Sequence, residues 1–218
     1  VLYYDGEEQV AQMVMDAVNN SKDKIWEKLD IMEPESLTIQ LFKDNETYAK
    51  VYGIHQSLGS GATYPDKIVL MSPSKLGVTK EQYQSLIAHE MMHYYHRPHE
   101  GDISLLLAEG IATYAEEYEH YTRDIKYQRI KIPTFEQLYF CEDEKQVALY
   151  SYSYIEFLEQ AYSWDRTLEL SYTGNYEKAW QNYQNIYNRT NSKDAFEKYI
   201  EYRYKSAEKA LKAGDEDT

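Results

Sequence analysis

Apolar residues recur every three or four positions near the start of the chain, with polar residues between them. This period is typical of a helix that buries one face. It predicts an amphipathic helix over residues 6–29, either continuous or broken near Asn19-Asn20-Ser21. The apolar positions are Val10, Met13, Val14, Val18, Ile25, Trp26 and Leu29.

Two later segments have the pattern of strands. Residues 36–42 alternate between polar and apolar side chains, which is typical of a half-buried strand. Residues 67–72 are mostly apolar and end at Pro73, and we predict that Ile68 and Leu70 are buried. We interpret 67–72 as an exposed edge strand that could hold an extended peptide by backbone hydrogen bonds. A short helix is predicted between the two strands, over residues 46–52.

From residue 102 onward the pattern is almost wholly helical. The first helix of this region has one apolar stripe, and we predict that this stripe packs against the preceding helix. The stripe contains Ile103, Leu106, Leu107, Gly110, Ile111, Tyr114 and Tyr118. Because glycine is unfavourable in a helix interior, Gly110 predicts a close approach by another segment. Further helices are predicted at 146–162, 175–188 and 192–211. The fold class is therefore α+β, with a small N-terminal mixed sheet that includes an edge strand and a helical C-terminal lobe. We expect residues 1–218 to form one domain with lobes 1–100 and 101–218.

The helix before that stripe has clear start and stop signals. Thr79 and Gln82 have the spacing of a capping box, in which each side chain satisfies a backbone N–H of the other residue. Pro98 disfavours helical geometry at the residue before it. We predict a helix from about residue 80 to Arg97.

In the middle of this helix, His89 and His93 are four residues apart. Residues at that spacing lie on the same face of a helix, so both imidazoles can bind one metal ion. Glu90 would lie beside the metal without binding it. Glu109, sixteen residues after His93, supplies a carboxylate. Two histidines and one glutamate form a recognised catalytic zinc set that leaves one position open.

His99 is a second candidate for the third ligand, because it follows His89 by ten residues. That spacing is typical of the metzincin peptidases, which also have a glycine at the position of His96 and a methionine turn downstream. Here no methionine follows His93. Glu109 is therefore preferred, and His96 and His99 are interpreted as polar residues at a helix end.

Composition narrows the class of partner. The chain has 37 acidic and 23 basic residues, and its formal net charge of −14 argues against nucleic acid or anionic membranes and favours neutral or cationic substrates. Cys141 is the only cysteine, so no intramolecular disulfide can form. No apolar run approaches the length of about 18 residues that a membrane span needs. The first residues lack a signal-peptide layout, although a signal could have been removed.

These motifs together resemble the gluzincin peptidases, the group that includes thermolysin, and especially their small, mostly bacterial peptidase-MA-like members. The resemblance is strongest over residues 67–118. The matching stretches are the strands at 37–42 and 67–72, the helix with His89-Glu90-Met91-Met92-His93, the run Leu107-Ala108-Glu109-Gly110-Ile111-Ala112-Thr113-Tyr114, and the run at 149–158 that opens a later helix.

The resemblance implies a zinc metallopeptidase that hydrolyses peptide bonds through a zinc-bound water. His89, His93 and Glu109 would bind one Zn²⁺ per chain, and Glu90 would be the general base. Tyr150 would stabilise the oxyanion, with Tyr152 as the alternative because the run of tyrosines leaves the register open. A peptide or protein substrate, a monomer, and an exported or cell-surface bacterial location rather than a cytoplasmic one are expected.

Two features qualify these implications. The Gly-Ala-Met-Glu-Asn motif of zinc aminopeptidases is absent from the sequence, so an amino-terminus-specific exopeptidase is not supported. An alternative to catalysis is a peptidase-like binding module that recognises a protein or cell-wall ligand without cutting it.

Overall fold

The computed structural model describes five continuous segments and several single residues or short stretches. These are residues 8–30, 36–53, 58–96, 105–115 and 163–171, with residues 137, 140, 141, 147, 150–152, 155, 158, 159 and 205. The chain divides into two compact units, Val1–Pro98 and His99–Thr218. Whether the two make a single domain stays a prediction, and each unit is described by itself.

The described residues of the first unit form four helices and three strands. In chain order they are α1 (Glu8–Leu29), β1 (Ile39–Phe42), α2 (Asn45–Tyr52), β2 (Gly61–Tyr64), β3 (Lys67–Met71), α3 (Pro73–Leu76) and α4 (Lys80–His96). The described residues of the chain are mostly helical with one small mixed sheet, which agrees with the predicted α+β class.

Helix α1 runs unbroken through Asn19-Asn20-Ser21. Its inner face buries Val14 and Ile25, which are 0% and 2% exposed. It packs against α4, where the ring of Trp26 meets that of Tyr95 edge-on at 6.2 Å. This packing explains the continuity of α1, because burial of one face stabilises a helix despite polar residues of low helix propensity.

The three strands are ordered β1-β3-β2, with β1 parallel to β3 and β2 antiparallel to β3. Segment 67–72 is therefore not an edge strand, because β3 pairs on both sides. The prediction was wrong because no strand was predicted over residues 61–64. The chain instead enters β2 at Gly61 and returns into β3 through a two-residue turn, since Tyr64 pairs with Lys67.

Alternation along the strands divides the sheet into two faces. The α2 face carries a buried cluster of Phe42, Tyr48, Leu58, Val69 and Met71, against which Ala62 and Tyr64 pack. The α4 face carries the neighbouring residues of the same strands, including Ile68 and Leu70, which are fully buried as predicted. Gly61 and Thr63 of β2 lie on this second face, against α4.

Helix α4 begins and ends close to the predicted residues. The backbone N–H of Thr79 donates to the side chain of Gln82 at 2.8 Å, and the N–H of Gln82 donates to the Thr79 hydroxyl at 3.2 Å. This is the reciprocal bonding of a capping box and confirms the predicted helix start. Ile87 and Met91 are fully buried, so the middle of α4 is held firmly in the core of the unit.

In the second unit, the described residues form α5 (Leu105–Ala115) and α6 (Trp164–Ser171). The described residues between 147 and 159 are also helical, in agreement with the helix predicted at 146–162. No element was predicted over α6. The helices predicted at 175–188 and 192–211 lie outside the described residues, apart from Lys205, which is helical.

Gly110 in α5 has the close neighbour that its position predicted. A Cβ atom there would lie 2.8 Å from the carbonyl oxygen of Ser151 and 2.5 Å from Cγ1 of Ile155. A larger side chain would therefore force α5 away from the segment that contains these two residues. None of the helices in the described segments is both long and apolar enough to span a membrane.

Candidate metal centre

Two imidazoles face each other across one turn of α4. The Nε2 atoms of His89 and His93 are 3.1 Å apart, and the ring centroids are 4.7 Å apart at an angle of 76°. Both residues are half-buried. The spacing of four residues on a continuous helix produces this arrangement, because it stacks the two side chains on one face.

The spacing of these nitrogens fits a zinc ion. Two nitrogens bound tetrahedrally at about 2.0–2.1 Å from zinc would be roughly 3.3 Å apart. The observed 3.1 Å is close to that value. Ligand atoms of His89, His93 and Glu109 all lie within 4.8 Å of one another. Among the described residues, this is the one group of three or more metal-ligating side chains that could hold an ion.

Glu90 follows His89 and is turned toward the sheet. Only 7% of the residue is exposed. Its Oε2 atom accepts a hydrogen bond of 2.7 Å from the hydroxyl of Thr63, and the same hydroxyl lies 3.1 Å from the backbone oxygen of Glu90. A Cβ atom built on Gly61 would lie 2.8 Å from Oε1. The carboxylate therefore lies against β2, between a hydroxyl donor and a position without a side chain.

Thr63 and Gly61 are the two residues of this region that the sequence interpretation missed. A signal was present. Gly61-Ala62-Thr63-Tyr64 and the apolar run at 67–71 are separated by Pro65-Asp66, and two strand-like runs separated by two turn-forming residues are typical of a hairpin. Recognition of that hairpin would have placed Gly61 and Thr63 on one face of the sheet.

The two candidate oxyanion residues differ in exposure. Tyr150 is 1% exposed, whereas Tyr152 is half-buried and its ring lies 5.5 Å from that of Tyr114. The Tyr114 hydroxyl in turn donates to Glu159, and its ring stacks on Trp164. The choice between Tyr150 and Tyr152 stays a prediction.

The other histidines of the motif have different outcomes. His96 is buried at the end of α4, with 1% of its surface exposed. His96 is therefore a polar residue at a helix end, as predicted, although it is buried there. His99 lies outside the described residues.

No family model and no curated protein matches this chain. An assignment of function must therefore start from the side chains of the candidate centre.

Proposed function

We propose that the protein is a zinc-dependent metallopeptidase of the gluzincin type, which hydrolyses peptide bonds. The observation that carries the proposal is the convergence of three donor groups, with ligand atoms of His89, His93 and Glu109 within 4.8 Å of one another. Two neutral imidazoles and one carboxylate suit zinc, which prefers nitrogen and oxygen donors in this number at catalytic sites. Zinc, when bound, supplies a Lewis acid that lowers the pKa of water to about 7 and polarises a carbonyl oxygen.

Glu90 is the general base in this proposal. It is next to His89 on α4, about 100° further round the helix, so it lies beside the donor groups without being one of them. Its carboxylate accepts the proton of the attacking water and passes that proton to the leaving amine. Tyr150, or Tyr152 in the alternative register, donates a hydrogen bond to the developing oxyanion. One such donor typically stabilises a transition state by about 3–4 kcal/mol.

The substrate is a peptide or protein. The formal charge of −14 attracts cationic segments and repels acidic ones, while neutral segments are not excluded. Steering of this kind weakens as salt is added, because charges further apart than about 8 Å are screened at physiological ionic strength.

The direct test combines metal analysis with digestion. The purified full chain should contain one zinc per molecule and should cleave members of a broad peptide library, measured by mass spectrometry. His93→Ala and Glu109→Ala should lose both zinc and cleavage, whereas the matched variant His99→Ala should keep both.

Three results would contradict the proposal in different ways. A chain that binds no zinc would exclude the metal centre. If His99→Ala loses zinc and Glu109→Ala retains it, the third ligand is His99 and not Glu109. Zinc binding without any cleavage would favour the non-catalytic peptidase-like binding module.

A further inference from the structure

We infer that Thr63 is a positioning residue for Glu90, and that Gly61 provides the space that the Glu90 carboxylate occupies. The inference rests on the proposed function and adds to it two residues outside the zinc-binding motif. Both belong to β2 and lie on the α4 face of the sheet.

The hydroxyl of Thr63 fixes one oxygen of the carboxylate. A glutamate side chain rotates about three bonds, so a base on it must be held by its surroundings. Thr63 donates to Oε2 of Glu90 at 2.7 Å. Threonine is stiff at χ1, and the backbone of Thr63 is held in the sheet opposite Ile68. The position of Oε2 is therefore set by the sheet.

The same hydroxyl also contacts the backbone of α4. It lies 3.1 Å from the backbone oxygen of Glu90. Thr63 therefore contacts both the side chain and the main chain of this residue.

Gly61 leaves space for the other carboxylate oxygen, Oε1 of Glu90. A Cβ atom there would lie 2.8 Å from Oε1, 3.2 Å from Cδ of Glu90 and 3.0 Å from Cδ2 of Leu70. Real Cβ atoms essentially never approach a neighbour to 2.8 Å, and the other two contacts are tighter than usual, so a neighbour must move. The end of the Glu90 side chain is the more flexible neighbour. Any residue larger than glycine at position 61 would therefore displace the carboxylate while the strand remains in place.

The test must separate positioning from simple attachment of α4 to the sheet. Thr63→Val removes the hydroxyl at nearly constant shape, and Thr63→Ser keeps it. Tyr64→Phe is the matched control, because it removes a hydroxyl from the next residue of β2, which lies on the opposite face. Each variant is measured as the full zinc-loaded chain for kcat, KM, zinc content and the midpoint of urea unfolding.

We expect Thr63→Val to lower kcat by about 10- to 100-fold, the typical loss when a reacting group is misplaced by about 1 Å, with KM and zinc content unchanged. Thr63→Ser should restore kcat to within about threefold of the wild type, because the donor is present. Gly61→Ala should lower kcat by at least about 10-fold with zinc retained. Tyr64→Phe should leave kcat unchanged.

A second readout does not depend on activity. Thr63→Val should lower the urea midpoint by more in the wild type than in a Glu90→Ala background, where the carboxylate partner is already missing. Equal shifts in the two backgrounds would overturn the inferred hydrogen bond whatever the activity.

The remaining outcomes separate this inference from the proposed function. If the wild type cleaves peptides and Thr63→Val cleaves them equally fast, the inference is wrong and the proposed function stands. Loss of zinc in Thr63→Val that Thr63→Ser does not restore would assign the contact a merely structural role. A wild type that holds zinc and cleaves nothing overturns both.

Discussion

The two faces of strand β2 differ in what their side chains do. Ala62 and Tyr64 point to the α2 face and pack on an apolar cluster. Gly61 and Thr63 point to the α4 face, where they lie against one buried carboxylate. One short strand thus contributes to a packed core on one side and to a candidate site on the other. Alternation keeps the two tasks separate, so a substitution can disturb one face and leave the other intact.

Aromatic contacts dominate the α2 face. The Tyr48 and Phe42 rings meet edge-on at 5.4 Å, the Tyr52 and Tyr64 rings stack at 5.9 Å, and the hydroxyls of Tyr48 and Tyr64 are 2.9 Å apart. Such contacts stabilise a fold through buried area and ring geometry. Burial, followed by the hydrogen bond with Tyr64, raises the pKa of Tyr48 to about 12. We expect substitutions on this face to change stability and those on the α4 face to change turnover.

The largest effect should come from Glu90→Gln on the α4 face. The amide has the shape of the carboxylate and cannot accept a proton, so kcat should fall by about 10²–10⁴-fold, the usual contribution of a general base. Zinc content and the urea midpoint should stay close to those of the wild type. Glu81→Gln, an exposed glutamate on the same helix, is the control and should keep full activity. Normal turnover in Glu90→Gln would exclude Glu90 as the general base.

Met71→Ala on the α2 face should have the next largest effect, and on stability alone. Met71 is 1% exposed and belongs to the aromatic cluster. Truncation of a buried side chain of this size typically lowers the free energy of unfolding by about 2–5 kcal/mol. Urea unfolding measures that loss, and kcat per folded molecule should be unchanged. A large fall in kcat at unchanged stability would show that the two faces are coupled.

Tyr64→Phe should give a smaller change that depends on pH. Loss of the hydrogen bond to Tyr48 should lower stability at neutral pH by about 0.5–1.5 kcal/mol. In the wild type Tyr48 ionises at a higher pH folded than unfolded, so its contribution is complete below about 10 and is lost as the pH rises toward 12. In Tyr64→Phe the loss should begin at the same pH, but it should be smaller and end at lower pH, because without the Tyr64 hydrogen bond the folded and unfolded pKa values of Tyr48 lie closer together. Stability curves between pH 8 and 12 check this.

The smallest effect should come from Asp44→Ala at the start of α2. The Asp44 carboxylate accepts a hydrogen bond of 2.7 Å from the backbone N–H of Thr47 and caps the helix. That backbone bond, together with one from the Thr47 side chain, holds the pKa of Asp44 below its ordinary value of 3.8. The cap therefore stabilises the fold above pH 3.8 and the stabilisation is lost as the pH falls below it.

Thermal melts between pH 2 and 7 check this. The melting temperatures of the wild type and Asp44→Ala should differ at neutral pH and become equal in acid. Asp44→Asn is the matched control, because asparagine caps equally well and does not titrate. If the melting temperatures of the wild type and Asp44→Ala differ by the same amount in acid as at neutral pH, the carboxylate does not act as the cap.

Local signals were enough to predict much of the first unit. Thr79 and Gln82 set the start of α4, and the spacing of His89 and His93 identified a pair of facing imidazoles. Strand order could not be predicted in the same way, because it depends on pairing between distant segments. The mistake over β3 followed from one omission, because no strand was predicted over residues 61–64 and the second partner of β3 was therefore missed.

The contact of Thr63 with Glu90 shows why part of the site was missed. The two residues are 27 positions apart, and nothing in the helical motif points to strand β2. The two-residue turn at Pro65-Asp66 was the one local clue. Beyond the helix pattern, the sequence carries no signal that separates Tyr150 from Tyr152, because both lie in one run of alternating tyrosines.

That turn also bears on the order in which the protein folds. β2 and β3 are joined by two residues and pair with their immediate neighbour in the chain, and such hairpins form in about 1–10 μs. β1 pairs with β3 only after α2 and β2 have been passed, so its parallel pairing must close a longer loop. We expect Gly61 and Thr63 to be fixed to β3 early, before β1 joins the sheet. Strand β2, which contacts the Glu90 carboxylate, would then be among the first parts of the sheet to form.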